Sequence, residues 1–296
     1  MTAELLDQIS DAFADHVAAG ASSIVAIATG RRPVSGILWR PDVVATSEQM
    51  LPDGADFAVR HGDAEIAAKL AGRDPGTNVA LLRLAQPVES TLPEHAPTPR
   101  VGALALVLGA DPSAGITARL AMVHAVGPEW HSQAGGRIEA LLRLDARIGR
   151  DEGGPVLDTA GRLLGMSTAG PRRRTLVIPA ATIARVIDPL LAEGRIARGW
   201  LGVGLQPVAV PDSLREAAGR EAGMMVVSLA TDGPAAQAGV LPGDILLDLD
   251  GTPVRRMRAL SAALGPERVG QSVSLRLLRA GAMQTLAVIV AARPAA

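Results

Sequence analysis

The sequence predicts a mostly-β chain in two units: an antiparallel barrel or sandwich of short strands, then a smaller compact unit, with one helix ahead of both. Three observations carry this. From Ser22 to about Pro179 the chain alternates short apolar runs with Gly- and Pro-rich gaps, the pattern of many closely spaced strands and not of βαβ units. The 296 residues reach the length at which single cores give way to separate domains, ~250–300 residues. A helical pattern stopping at Gly194 and a polar stretch, Glu193–Arg198, separate the two regions.

Taken in order, Leu6, Ile9, Phe13 and Val17 recur at three- and four-residue spacing and predict an amphipathic helix over Thr2–Ala18. Such a helix is expected to dock on its own domain; an oligomerisation arm is the alternative. Strands are expected at Ser23–Ala28, Val34–Leu38, Val79–Leu84, Leu104–Leu108, Ile138–Leu144 and Arg162–Met166. Ile183, Val186, Ile187, Leu190 and Leu191 form one helical face, which Gly194 terminates. The second unit holds apolar runs at Trp200–Leu205, Met224–Leu229, Ile245–Leu249, Ser272–Leu278 and Leu286–Val290, and a helix at Met257–Leu264. The resulting division is a helix at 1–21, a first domain at 22–192, a linker at 193–198 and a second domain at 199–293.

Composition narrows function by exclusion. Hydrophobic residues make up 48% of the chain and charged residues 20%, enough to bury sizeable cores. A net charge of -1 and 2% aromatics supply neither a basic footprint nor base-stacking platforms, so no nucleic-acid partner is expected. Without cysteine there are no disulfides and no thiolate metal sites. None of the five histidines, His16, His61, His95, His124 and His131, shares a local motif with a serine, and His124 and His131, seven residues apart without a carboxylate partner, make a weak metal pair, so neither metal nor cofactor is expected. Glu4, Asp7, Asp11 and Asp15 occupy the stretch where a secretory signal would be basic and then apolar. The longest early apolar run, Ile24–Ala28, is too short for a membrane span. As it stands, the sequence is therefore expected to be cytoplasmic.

Several segments resemble one family in the same order. Gly149-Arg-Asp-Glu-Gly-Gly-Pro155 is similar to the nucleophile loop of trypsin-like proteases, Gly-Asn/Asp-Ser-Gly-Gly-Pro. Val43-Val-Ala-Thr-Ser-Glu-Gln-Met-Leu51 resembles the segment holding the triad histidine, and Asp74-Pro-Gly-Thr-Asn-Val-Ala-Leu-Leu82 the one holding the triad aspartate. Gly194-Arg-Ile-Ala-Arg-Gly-Trp-Leu-Gly-Val203, Gly233-Pro-Ala-Ala-Gln-Ala-Gly239, Leu241-Pro-Gly-Asp-Ile-Leu-Leu247 and Asp250-Gly-Thr-Pro-Val254 look like a barrel-to-PDZ junction and PDZ turns. Nearly everything after Ser22 thus resembles the HtrA family. The resemblance implies an all-β-dominated fold, a trypsin-like double β-barrel followed by an α+β PDZ domain, and a compartment that is usually periplasmic or membrane-associated.

The departures fall where the family does its chemistry. The histidine slot holds Gln49, the aspartate slot Asn78 and the serine slot Glu152; Arg150 and Asp151 precede it in the oxyanion loop. A triad needs a hydroxyl nucleophile, a base titrating near neutrality and an anion to orient it. Gln49 accepts no proton, Asn78 carries no charge, and Glu152 is a poor amide-cleaving nucleophile. A pseudoprotease is therefore expected, with Glu152 accepting N–H bonds from its own loop and meeting Gln49. An acid–base pair of Asp151 and Glu152 is disfavoured because adjacent residues rarely face one point. Arg172-Arg-Arg174 is expected to be a solvated hairpin tip.

The PDZ resemblance implies that Trp200, Leu201, Gly202 and Val203 form a carboxylate-binding loop. The strand from Val203 to Leu205 would pair with a peptide, and Met257, Leu260 and Leu264 would complete an apolar pocket. The expected partners are protein or peptide C-termini. The expected role is a non-catalytic scaffold. The alternatives are an active HtrA-type endopeptidase of protein quality control, or an interaction subunit in a homotrimer or mixed oligomer. Phe13 is the only aromatic residue before Trp39 that could serve trimer packing.

Overall fold

The computed structural model describes residues 3–30, 32–111, 113–149 and 151–294. The chain divides into two compact units, Met1–Trp130 with Arg137–Ile196, and His131–Gly136 with Ala197–Ala296.

The first unit contains two closed six-stranded barrels. Strands Ile24–Ala28, Val34–Arg40, Val43–Ser47, Asp56–His61, Ala64–Asp74 and Val79–Leu84 close the first barrel. Leu104–Asp111, Gly115–Gly127, Leu141–Arg147, Pro155–Asp158, Leu163–Ala169 and Arg174–Pro179 close the second. Val25, Ile27, Leu38, Val44, Ala80 and Leu82 fill the first barrel. Val107, Val123, Leu144, Val156 and Val177 belong to the core of the second. The alternate residues of the same strands, Ile24, Ile37, Val43, Val79 and Leu81, pack with Leu106, Leu108, Leu157, Met166 and the helix residues Ile183, Val186 and Leu190. Strands buried on both faces read as continuous apolar runs, which is why these were visible in the sequence.

Several strands were not among those expected, the buried Val43–Ser47 included. Asp56–His61, Ala64–Asp74 and Gly115–Gly127 alternate buried with exposed positions and carry polar residues on the wet face. The run expected at Ile138–Leu144 is broken: a two-residue strand ends at Ile138 and the next begins at Leu141.

The first helix spans Ala3–Gly20. Only its second half docks, through Phe13 and Val17. Leu6 and Ile9 remain 50% and 39% exposed, so docking along the whole apolar face is not what the structure shows: the two leading turns have nothing to cover them. The second helix, Ala180–Glu193, ends as expected on Gly194, whose φ of 71 suits the left-handed cap.

In the second unit a sheet orders its strands Val203–Ala209, Ala222–Leu229, Ile245–Leu249, Ser272–Arg279 and Ala282–Ile289. Val203–Ala209 lies at one edge. The predicted run Trp200–Leu205 breaks at Leu201 and Gly202, where Gly202 takes φ 75. The helix Met257–Ala263 contributes Leu260 to a core that includes Leu201, Val226, Leu246 and Leu275.

Candidate functional site

Three local devices deliver side chains to the cleft of the barrel unit. The strand Val43–Ser47 ends in a short 3-10 turn, Glu48–Met50, which places Gln49 at the solvent boundary. Buried Asp74 ties the next turn, accepting from Gly76 N at 3.0 Å, Thr77 N at 3.2 Å and Thr77 Oγ1 at 2.7 Å. That turn presents Asn78 at φ 56, a conformation asparagine tolerates better than most side chains. The third device is the loop leading to Glu152. Gly153 has φ 90, and a Cβ there would lie 2.1 Å from Ser35 O, so only glycine fits. Its N–H donates to Ser167 O at 2.8 Å and Gly154 N to Asp151 O at 3.1 Å.

The structure brings Gln49, Asn78 and Glu152 together in one network. Gln49 Nε2 donates to Glu152 Oε1 at 2.6 Å and to Thr168 Oγ1 at 2.9 Å. Asn78 Oδ1 accepts from Gln49 N at 2.8 Å, while its Nδ2 donates to Thr168 Oγ1 at 2.6 Å and Ser47 Oγ at 3.1 Å. Glu152 is 4% exposed. Besides Gln49, its Oε1 accepts from Ser47 Oγ at 3.2 Å, Thr168 Oγ1 at 3.1 Å and Ala169 N at 3.0 Å.

Glu152 therefore meets Gln49 as expected, while the four donors given by the described residues lie outside its own loop, whose Gly149 and Gly153 N–H groups serve Asp151 Oδ1 and Ser167 O. Asp151, also buried, is bound by Gly149 N and by Arg119 Nη2 at 3.4 Å, and shares no partner with Glu152. Arg150 lies outside the described residues. The sequence reading missed Ser47, Thr168 and Ala169. Ser47 lies inside the same recognised segment as Gln49, at the end of its strand. Thr168 and Ala169 carry no local signal.

No histidine enters this network. His61 Nε2 sits 2.9 Å from Ser22 O, His95 packs against Trp39, and His124 neighbours Arg174. Among the described residues no cluster of three histidine or carboxylate side chains could hold a metal. Arg172 and Arg173 are exposed at φ 58 in the tight turn Pro171–Arg173.

In the second unit one pocket is lined by Trp200, Leu201, Gly202, Val203, Met257, Leu260 and Leu264. Leu205, expected on the peptide-pairing strand, lies on the edge strand outside this lining, partly buried against the core. Gly202 O accepts from Ala230 N at 2.8 Å and Leu201 O from Ala235 N at 2.9 Å, which fixes the loop ahead of the edge strand. Leu201, Leu260 and Leu264 are at most 5% exposed, so they are core as much as pocket wall, whereas Met257 is 44% exposed.

Comparison with known proteins matches both halves. Residues 34–166 fit the trypsin-like peptidase domain and residues 199–290 the PDZ domain. The chain is HtrA-type in fold and domain order. A probable periplasmic serine endoprotease, DegP-like, of Brucella suis is 30% identical over 279 residues, covering 89% of this chain and 54% of that protein. One of the same description from Pseudomonas fulva is 30% identical over 270 residues, covering 88% and 55%. The chain thus spans about half the length of the curated relatives it matches. Among solved structures, the HtrA-type protease AlgW with tripeptide superposes with a TM-score of 0.72 at 27% identity, covering 96% of this chain and 98% of that one. A serine endoprotease from Yersinia pestis gives 0.74 at 24% identity, covering 95% and 98%, a likeness of fold. The relatives' periplasmic description does not support the cytoplasmic expectation drawn from the N-terminus. No helix among the described residues is long and apolar enough to cross a membrane.

Proposed function

We propose that this HtrA-type chain is a pseudoprotease: a peptide-binding scaffold that recognises protein C-termini through its PDZ domain and performs no proteolysis. The observation that carries the reading is the filling of Glu152 Oε1 by four donors. A carboxylate oxygen held this way is tied to four donors and not presented to a scissile carbonyl, and Gln49 beside it has no basic nitrogen. The hydroxyls nearest to it, Ser47 and Thr168, are at most 1% exposed. On the binding side, the edge strand Val203–Ala209 follows directly on the Gly202 loop. A peptide added there would gain main-chain hydrogen bonds and place its last side chain against Leu260 and Leu264.

The test is calorimetric titration of the full chain with a peptide ending in a free apolar residue and with the same peptide amidated. Binding of the first and loss of the second supports carboxylate capture; equal behaviour refutes it. A second reading is favoured by the relatives, which are described as serine endoproteases: an active endopeptidase of protein quality control using other residues. Casein hydrolysis separates the two. Assembly as a homotrimer, or with active family members, is part of the proposal and is read by native mass spectrometry. Fractionation of the producing cell decides between the cytoplasm and the relatives' periplasm.

A further inference from the structure

In the strand Leu163–Ala169, Ser167 turns its N–H and C=O toward the Gly153–Gly154 loop: Ser167 N donates to Gly154 O at 2.9 Å, and Ser167 O accepts from Gly153 N at 2.8 Å. A strand repeats its orientation every second residue. Ala169 therefore aims its N–H and C=O at the same open side, one rung further along. Among the described residues no strand lies there. Ala169 N donates to Glu152 Oε1 at 3.0 Å, and Ala169 O accepts from Gln49 Nε2 at 3.4 Å. The two side chains are joined to each other at 2.6 Å. Glu152 thus gives Ala169 N the acceptor that a paired strand would, and the Gln49 amide, whose two hydrogens serve Glu152 and Thr168 at 2.6 and 2.9 Å, stands in front of Ala169 O.

We propose that the Glu152–Gln49 pair is a built-in ligand that occupies this rung and keeps the barrel cleft shut to extended polypeptide. It rests on the non-catalytic reading above and assigns the cleft a closed state that the two side chains hold. Gln49 is exposed and forms the solvent side of the pair, its contact with Ala169 O long, whereas Glu152 is buried and multiply bonded.

The test uses the full chain and a short fluorescein-labelled Val/Thr-rich peptide with an amidated C-terminus, which a carboxylate-binding loop does not capture. Amide exchange is followed by NMR at Ala169 and, as an internal control, at Ser167. The native chain should not raise the peptide's anisotropy, and Ala169 should be protected. In Gln49→Ala/Glu152→Ala the Ala169 amide should exchange at least ~10-fold faster, the loss of one hydrogen bond to a charged acceptor. Ser167 should stay protected, the peptide should bind, and binding should restore protection at Ala169. The proposal is overturned if the opened variant, with Ser167 still protected, ignores the peptide, or if the native chain binds it without change at Ala169. Should the double alanine variant fail to fold, Gln49→Ala/Glu152→Asp withdraws the same oxygen by one methylene and is judged by the same outcomes. Cleavage of a free-ended peptide by the native chain, or failure to bind it, would instead count against the scaffold reading.

Discussion

Glu152→Ala should destabilise the barrel unit by about 2 kcal/mol, and the figure follows from what its four donors can do afterwards. Gln49 is exposed and exchanges its bond for water at little cost. Ser47 and Thr168 are fully buried, but their hydroxyls already lie 3.2 Å apart and re-pair with each other and with Asn78. Ala169 N loses a bond to a charged acceptor, worth ~1.5–3 kcal/mol, and being only part-buried recovers some of it from water. Lost packing of the Glu152 side chain adds to this, while release of its ordering entropy, up to ~1.5–2 kcal/mol, and of its desolvation subtracts. A net loss of about 2 kcal/mol corresponds to roughly 4–8 °C in Tm for a unit of this size. The assay is thermal and urea unfolding followed by tryptophan fluorescence in a Trp200→Phe background, so that Trp39 and Trp130 report on the barrels alone. An unchanged or raised midpoint would refute the reasoning. Groups held for catalysis are commonly a burden on stability, and removing them raises it; a group that fills a hydrogen-bond site does the reverse.

Other expectations concern different parts of the chain. Asp248 is 1% exposed and binds Arg220 Nη2 at 2.7 Å and Arg276 Nε at 2.5 Å. Asp248→Ala leaves two guanidinium groups facing each other without their anion and should cost the PDZ unit ~2–4 kcal/mol, discounted because both arginines are partly wet; urea unfolding followed at Trp200 checks this. Burial alone would raise the pKa of Glu139, but hydrogen bonds from Arg185 and Thr182 hold it below its ordinary 4.5. Its contribution is therefore full above about pH 4.5 and lost as pH falls through the lowered folded value. Glu139→Gln should flatten that acid limb in a stability-versus-pH series; an unchanged limb contradicts the assignment. Leu260→Glu puts a charged group where the peptide's last apolar side chain is expected to lie, and should weaken binding of a free-ended peptide at least ~10-fold by calorimetry; unaltered affinity in a variant that still folds would remove Leu260 from the groove.

How much of this was legible depended on burial. Strands such as Val79–Leu84, covered on both faces, announced themselves as apolar runs, whereas Ala64–Asp74 and Gly115–Gly127 hid behind polar outward positions. The first helix showed its apolar stripe but not that the fold stops short of Leu6. Aligned motifs named Gln49, Asn78 and Glu152 one at a time, because each sits in a short recognisable segment. Their shared partners Thr168 and Ala169 come from a strand that is remote in sequence and unremarkable in composition. That strand is why Glu152 turns away from its own loop, and no local pattern encodes such a choice. In the PDZ unit, the motifs named the residues of the loop and edge strand, but not that Gly202, at φ 75, breaks the run between them.

The most direct test of the central claim is hydrolysis of casein by the purified chain, measured beside Glu152→Ser/Gln49→His/Asn78→Asp. The account predicts no cleavage by the native chain above that of a mock purification, at any pH from mildly acidic to mildly basic. Cleavage by the native chain that disappears in Glu152→Ala would contradict it and make the carboxylate a catalytic group.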